Sequence, residues 1–345
     1  MNSRDTHDEV KDYYGKTLQS SNDLQSSCCT AGELPMRYRK ILAMLDDEII
    51  TRFYGCGSPL PAQLEGLSVL DLGCGTGRDC YLMSNLVGED GHVIGLDMTD
   101  EQLDVANKYI ASMTEKFGYA KANIEFRKGI IEDLSSAGIE DNSIDLIVSN
   151  CVINLATDKE AVLSEALRVL KPGGEIFFSD VYSDRRIPQE LRDDEVFYGE
   201  CLGGALYYED FRRIMQTLGC HDHRIVTKTK IDLNNAEIEA KAGNINFYSI
   251  TVRAFKLDLE DLCEDYGQTV TYKGSDEFPH AFVLDDHHTF ETGRPMLVCG
   301  NTFDMLNKTR FSELFDFSGD KSVHYGLFDC SDDLSTNTDD SGACC

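Results

Sequence analysis

The chain contains no tryptophan and few basic side chains: 32 lysines and arginines stand against 61 aspartates and glutamates, a formal net charge of −29. That scarcity argues against nucleic acid as a partner, since binding a phosphate backbone rests on clustered Lys and Arg. It argues equally against an anionic membrane surface. Long apolar runs are absent, and none approaches the roughly 18 residues of a membrane span. Met1–Val10 is polar and mixed in charge, without the apolar core of a signal peptide. A cytoplasmic monomer is expected. No internal repeat is visible, and no two cysteines have the spacing of a zinc knuckle, so no structural metal is expected.

What is present is a chain of 345 residues, 41% hydrophobic, enough for one large domain with an appendage or for two domains. It carries 13 cysteines. In a reducing compartment these do not form a permanent disulfide framework, which leaves inert core thiols or thiols that bind something soft.

The stretch Val69-Leu70-Asp71-Leu72-Gly73-Cys74-Gly75-Thr76-Gly77 is a buried strand running into glycines at every second position, and a helical pattern follows from Asp79 to Val87. Glycines allow a ligand to approach the backbone at the helix N-terminus. A second strand, His92 to Asp97, ends in a carboxylate 20 residues after Gly77, where an acid accepts the hydroxyl protons of a ribose. The spacing is G-x-G-x-G, with Arg78 where a dinucleotide fingerprint would place its last glycine. The pattern resembles the S-adenosylmethionine site of class I methyltransferases.

Upstream, Glu9–Leu18 suggests a short helix, Ser20–Gly32 a polar loop with Cys28-Cys29, and Tyr38–Phe53 a helix burying Ile41, Leu42, Leu45, Ile49 and Ile50. Tyr54-Gly55-Cys56-Gly57 then turns into Pro59 and Pro61. Downstream, Thr99-Asp100-Glu101-Gln102 and Thr157-Asp158-Lys159-Glu160 read as capping boxes. Strands are expected at Asn123–Gly129, Ile144–Asn150 and Glu175–Asp180, so strands alternate with helices in a doubly wound, mostly parallel α/β sheet of Rossmann-like type. Gly73, Asp97, Glu132 and Cys151 fall at strand carboxyl ends, where such sheets bind ligands. Beyond Asp180, helices are expected at Leu191–Tyr198 and Asp210–Leu218, and strands at Arg224–Ile231 and Asn246–Phe255. From Asp258 on regularity fades and charge takes over, with 19 acidic and 5 basic residues. The organisation expected is an N-terminal lid segment (1–67), a cofactor-binding core (68–185), a region completing the sheet (186–260), a smaller acidic α+β C-terminal extension (261–330) and a disordered tail (331–345).

Four separated motifs, Tyr54-Gly55-Cys56-Gly57, Asp71 to Asp79, Ser149-Asn150-Cys151-Val152-Ile153-Asn154-Leu155 and Gly199-Glu200-Cys201-Leu202-Gly203-Gly204, together resemble the arsenite methyltransferase family. The resemblance runs from about Tyr13 to Phe255. It implies methyl transfer from S-adenosylmethionine to trivalent arsenic held by Cys56, Cys151 and Cys201, in arsenic detoxification. It also pairs Cys29 with Cys56 as a redox couple served by glutathione or thioredoxin, and it implies cofactor contacts from Tyr54, Asp71, Gly73, Gly75, Thr76, Gly77, Asp97, Met98, Ile131, Glu132 and Asn150. Two departures stand out: Cys28 sits beside Cys29, and the region after Asp258 matches weakly.

The chemistry is coherent without the family. Trivalent arsenic is thiophilic, and three sulfurs leave it a lone pair that has no proton to lose. A general base is not required, in keeping with the lack of histidine near the motifs. Catalysis then rests on alignment. Each thiol also has a plainer reading: Cys151 as core, Cys56 as a turn residue, Cys74 and Cys80 as structural. Cys220, Cys263, Cys299 and Cys330 have no motif around them. Two rival functions share the fold: methylation of a small metabolite on oxygen, nitrogen or carbon, and metalloid sequestration without turnover.

Overall fold

The structure, a computed structural model, describes residues 36–51, 59–194, 196–197 and 201–329. Cys28, Cys29, Tyr54, Cys56, Cys330 and the tail from 331 lie outside the described residues, as do Tyr13 and Tyr14. The single helix expected over Tyr38–Phe53 is two, α1 (Met36–Leu42) and α2 (Asp47–Thr51). Asp47 and Glu48 occupy the first turn of α2, where the helix dipole favours acids, and so start a new helix rather than continue the old one.

From β1 (Ser68–Leu72) the chain alternates: α3 (Arg78–Val87), β2 (His92–Asp97), α4 (Asp100–Lys108), α5 (Ile110–Phe117), β3 (Ile124–Lys128), β4 (Ile144–Asn150), α6 (Lys159–Val169) and β5 (Leu170–Ser183). After a short helix α7 (Gln189–Arg192) come β6 (Leu206–Tyr207), α8 (Tyr208–Thr217), β7 (His223–Lys230), α9 (Ala236–Ala242) and β8 (Phe247–Phe255). The sheet order is β3-β2-β1-β4-β5-β8-β7, with β6 beside β5. Strands β1 to β5 are parallel, and only β8 runs against its neighbours β5 and β7. Because helices cover both faces, β1 and β2 are buried along almost their whole length. The order reverses between β1 and β4, the topological switch point at which open α/β sheets bind ligands.

Past β8 the expected loss of regularity is not what the structure shows. Residues 259–327 hold seven short strands, β9 (Glu264–Asp265), β10 (Thr269–Tyr272), β11 (Ala281–Val283), β12 (Thr289–Glu291), β13 (Pro295–Leu297), β14 (Phe315–Ser318) and β15 (Gly326–Leu327), with helix α10 (Gly300–Asn307). They enclose an aromatic core of Tyr272, Phe282, Phe290, Phe311 and Phe315, joined to Phe255 at the end of β8. Strands of two to four residues offer at most two periods of alternation, so periodicity does not reveal them.

Buried charge ties this core to the sheet. Glu175 of β5 is fully buried, accepts from Arg253 Nε at 2.6 Å, and pairs with Arg310 from the C-terminal region. Breaking a buried pair leaves an uncompensated charge. Arg310→Met should therefore destabilise the protein by about 3 kcal/mol, the lower end of that class because Arg253 remains. Urea denaturation measures it, and an unchanged midpoint refutes the pairing.

Candidate active site

The register places the expected rim. Leu72 is level with Leu96 on one side and with Ser149 on the other, and Ser149 is level with Phe178. The next residue along each strand, Gly73, Asp97, Asn150 and Ser179, therefore forms one row at the carboxyl edge of the sheet. Gly73 turns there with φ +71°, and a Cβ on it would stand 2.5 Å from the Val152 methyls. The backbone N–H groups of Gly73 and Cys74 both donate to the Leu96 carbonyl, which clamps the turn onto β2.

Asp97 is half-buried and faces this turn. One carboxylate oxygen accepts from Gly75 N (2.9 Å) and the other from Thr99 N (2.8 Å). Burial raises its pKa, against the lowering effect of these backbone donors. Asp71 is buried beneath the turn, takes the Cys80 thiol proton in a 3.2 Å hydrogen bond, and has its pKa pushed well up by burial and then by Asp79. Asp79 pairs with the buried Arg78 at 3.2 Å and accepts from Asn150 Nδ2 at 3.4 Å. Three acidic side chains thus surround the glycine turn, with the charge of Asp79 balanced by Arg78. The glycine cradle and the Asp97 carboxylate fit S-adenosylmethionine, whose ribose and sulfonium call for these groups.

Other expected contacts are used differently. Thr76 is buried and its hydroxyl donates to the Ile49 carbonyl (3.0 Å), tying the turn to α2. The Glu132 carboxylate accepts from the backbone and hydroxyl of Thr157 (3.0 and 3.2 Å). This engagement of Thr157 also moves the cap of α6 one residue on: Asp158, not Thr157, accepts from Ala161 N. Thr99 likewise makes no side-chain cap on α4. Ile131 is buried in the main core, and Met98 packs against the cluster that holds Cys151 and Cys201.

Those two cysteines, fifty positions apart, are brought together. Cys151 extends β4 by donating its N–H to the Ser179 carbonyl (2.8 Å), and the Cys201 thiol donates to the Cys151 carbonyl at 3.5 Å. Both adopt left-handed backbone conformations, φ +57° and +61°, which cost a residue with a Cβ roughly 1–2 kcal/mol. The approach depends on Gly204, where a Cβ would lie 2.1 Å from the Asn154 carbonyl oxygen. Leu155, Val181, Ile187, Phe197, Leu202 and Ala205 wall the pair with apolar surface. Cys151 is disulfide-bonded and Cys201 is not. By contrast, burial raises the Cys74 pKa to about 11, leaving it an inert thiol near neutral pH.

The sequence reading passed over Asp180, although it ends the expected fifth strand as Asp97 ends the second. It is buried and accepts from Val181 N (2.8 Å) and Asn154 N (3.1 Å), so it also fixes the Cys151 loop. Burial raises its pKa to about 7, above the unfolded value. Such an acid holds more protons folded than unfolded between about pH 4 and pH 7, so its contribution falls as pH rises through that window. Asp180→Asn should remove this slope; denaturation midpoints of the two proteins from pH 4 to pH 8 that stay parallel would refute it. Gly73→Ala should cost about 1–3 kcal/mol from φ and the clash together. Adding Val152→Ala should restore only the part due to the clash, read from the same denaturation curves.

Residues 63–219 match a family model described as a methyltransferase domain, and residues 260–336 match a domain of unknown function, DUF8838. The chain is 54% identical over 326 residues to an arsenite methyltransferase of Aquipseudomonas alcaligenes, covering 94% of each chain. It is 42% identical over 315 residues to that of Mus musculus, covering 90% of this chain and 83% of the relative. The crystal structure of an arsenic(III) S-adenosylmethionine methyltransferase from Chlamydomonas reinhardtii superposes with a TM-score of 0.83 at 51% identity, over 86% of this chain and 100% of the other. Similarity of this extent, running through both the Rossmann-like sheet and the C-terminal region, shows that the chain belongs to the S-adenosylmethionine-dependent arsenite methyltransferases.

Proposed function

We propose that the protein methylates arsenite and methylarsenite as thiol complexes, with Cys56, Cys151 and Cys201 as the sulfur ligands. The observation that carries this reading is the juxtaposition of Cys151 and Cys201 in left-handed conformations beside the glycine turn. Strain at two non-glycine residues in one apolar pocket is a feature of functional sites. Three thiolates hold arsenic as a pyramid whose lone pair is the nucleophile. No proton has to be removed from it, so the chain's part is to hold the arsenic, keep water out and fix its direction.

Bound at the turn, S-adenosylmethionine supplies an electrophilic methyl group. Gly73, Gly75 and Gly77 shape its cradle, Asp97 takes the ribose hydroxyls, Asn150 and Asp71 line the methionine side, and Tyr54 and Met98 cover it. The finding that the Glu132 carboxylate is engaged by Thr157 leaves the backbone of Ile131 and Glu132 for the adenine edge. Cys29 and Cys56 act as a dithiol that reduces oxidised arsenic by forming a disulfide, and glutathione or thioredoxin restores them.

Cys151→Ser and Cys201→Ser should each lower methylation of arsenite by at least 100-fold. Binding of S-adenosylmethionine, followed by calorimetry, should stay within about threefold of the parent. Resolving arsenic species by mass after anaerobic incubation with labelled cofactor and glutathione makes the test. Full activity in both variants, with methyl groups appearing elsewhere, refutes the ligand set.

A further inference from the structure

We propose that Glu277 is a positioning residue for the first methyl transfer to arsenite, fixing the backbone from which Cys56 reaches the metalloid. The inference rests on the ligand set proposed above and gives the C-terminal region a part in the same site. It starts from one peptide unit, that between Ala62 and Gln63. The Ala62 carbonyl accepts from Arg310 Nε at 3.0 Å, and the Gln63 N–H donates to a Glu277 carboxylate oxygen at 3.4 Å. Both polar groups of this peptide are therefore taken by side chains from the C-terminal region, 248 and 214 positions away.

The peptide needs such a hold. Gln63 has φ +58°, a left-handed conformation that a residue with a Cβ keeps only where its surroundings over-determine it. Apolar packing secures the flanks, with Leu60 against the cluster of Tyr38 and Ile41, and Leu64 in the core with Leu45 and Ile49. The plane of the peptide between them is set by the two C-terminal side chains. Glu277 is itself held. Its other carboxylate oxygen pairs with Arg37 near the start of α1, and that guanidinium lies over the rings of Tyr38 (4.6 Å) and Phe278 (5.0 Å). The loop carrying Glu277, between β10 and β11, is stapled by the buried Tyr272. Its hydroxyl donates to the Phe278 carbonyl at 2.8 Å and lies 2.9 Å from the Ser275 hydroxyl. One carboxylate thus ties α1 and the turn at Gln63 to the aromatic C-terminal core.

The link to the reaction is covalent. Cys56 precedes the buried Pro59 by three residues, so the two Cα atoms stay within about 11 Å of each other. Upstream, the same stretch leaves α2 at Thr51. There α2 is tied to the glycine turn by Thr76 on the Ile49 carbonyl and to α4 by Lys108 on Glu48 at 2.7 Å. The cofactor side and the C-terminal side each hold one end of the chain that carries Cys56. Where rate rests on alignment, a misplacement of about 1 Å costs up to a hundredfold.

Ligand number makes the effect selective. Arsenite has three exchangeable oxygens; each As–OH bond exchanged for As–S takes one thiol and releases one water, and arsenic stays trivalent. Three exchanges use Cys56, Cys151 and Cys201. Methylarsenite has two exchangeable oxygens, and Cys151 and Cys201 satisfy it. A loosened peptide at Gln63 therefore slows the first transfer and spares the second, whereas a general loss of stability slows both.

The test uses the full chain, reduced and in excess over arsenite or methylarsenite, and follows label from S-adenosylmethionine in a single turnover, before reduction of the product enters. Glu277→Ala should slow transfer to arsenite at least tenfold and leave transfer to methylarsenite within twofold. Glu277→Gln keeps an acceptor for Gln63 N and should stay within threefold of the parent on both. Equal losses on the two substrates in Glu277→Ala, or no loss on either, overturn the positioning role. So does a fall in Glu277→Gln as deep as that in Glu277→Ala. Cys56→Ser, run in parallel, separates this failure from failure of the ligand set: it should lose transfer to arsenite and keep transfer to methylarsenite. If it slows neither, or both alike, the ligand set itself is wrong and the role of Glu277 falls with it.

Discussion

The active site depends on how closely two loop backbones approach. A side chain at Gly204 would place its Cβ 2.1 Å from the Asn154 carbonyl oxygen, nearer than any packed carbon stands to a backbone atom. Removing the Cβ lets the loop after α7 settle on the loop after β4, and the Cys201 thiol reaches the Cys151 carbonyl as a result. Asp180 holds the lower loop from beneath through Asn154 N, so the carbonyl that Gly204 meets is itself fixed. The thiols are thus positioned by main chain on both sides. Their geometry is stiffer than rotamer preference alone would make it, which suits a reaction whose rate rests on alignment.

A chain with so few basic residues spends several of its arginines inside. Arg78, Arg224, Arg253 and Arg310 are all largely or wholly buried, each against carboxylates: Asp79, Asp222 with Asp285, and Glu175 shared by the last two. These positions lie under the glycine turn and along the contact between the sheet and the aromatic C-terminal core. Guanidinium is suited to them because it stays charged when desolvated and forks onto more than one acceptor. Carboxylates are withdrawn with them, so the acidic balance of the surface stands, and the buried pairs act as specific locks whose net contribution to stability is modest while the pair is intact.

Much of the core was legible because its signals are long or positional. The glycine turn, Asp97 at the end of β2 and Cys151 at the end of β4 follow from strand–turn–helix spacing, and the register puts all three on one edge. Side-chain destinations were less legible. Thr76 and Glu132 carry groups suited to a ligand, yet they bond to Ile49 and Thr157, because a nearby backbone group competes for the same oxygen. The same competition shifted the cap of α6 from Thr157 to Asp158. The C-terminal core escaped because its strands are too short for periodicity.

The two thiol environments show how one element of chemistry is tuned in opposite directions. Cys74 and Cys80 lie in an acidic, buried neighbourhood that holds both sulfurs protonated and makes them packing groups. Cys299, equally buried, sits among donors, with a guanidinium and a helix N-terminus on it, and its thiolate is the favoured form. Burial is the main reason Cys74 and Cys80 stay protonated, with the nearby carboxylates adding to it, whereas at Cys299 the donors around the sulfur outweigh burial. The described side chains of the cluster that holds Cys151 and Cys201 are apolar. A soft, neutral pnictogen centre bound by such sulfurs loses little to desolvation, whereas a hard dication would lose much. On the ligand set proposed above, an apolar wall therefore suits arsenic better than an ordinary metal ion.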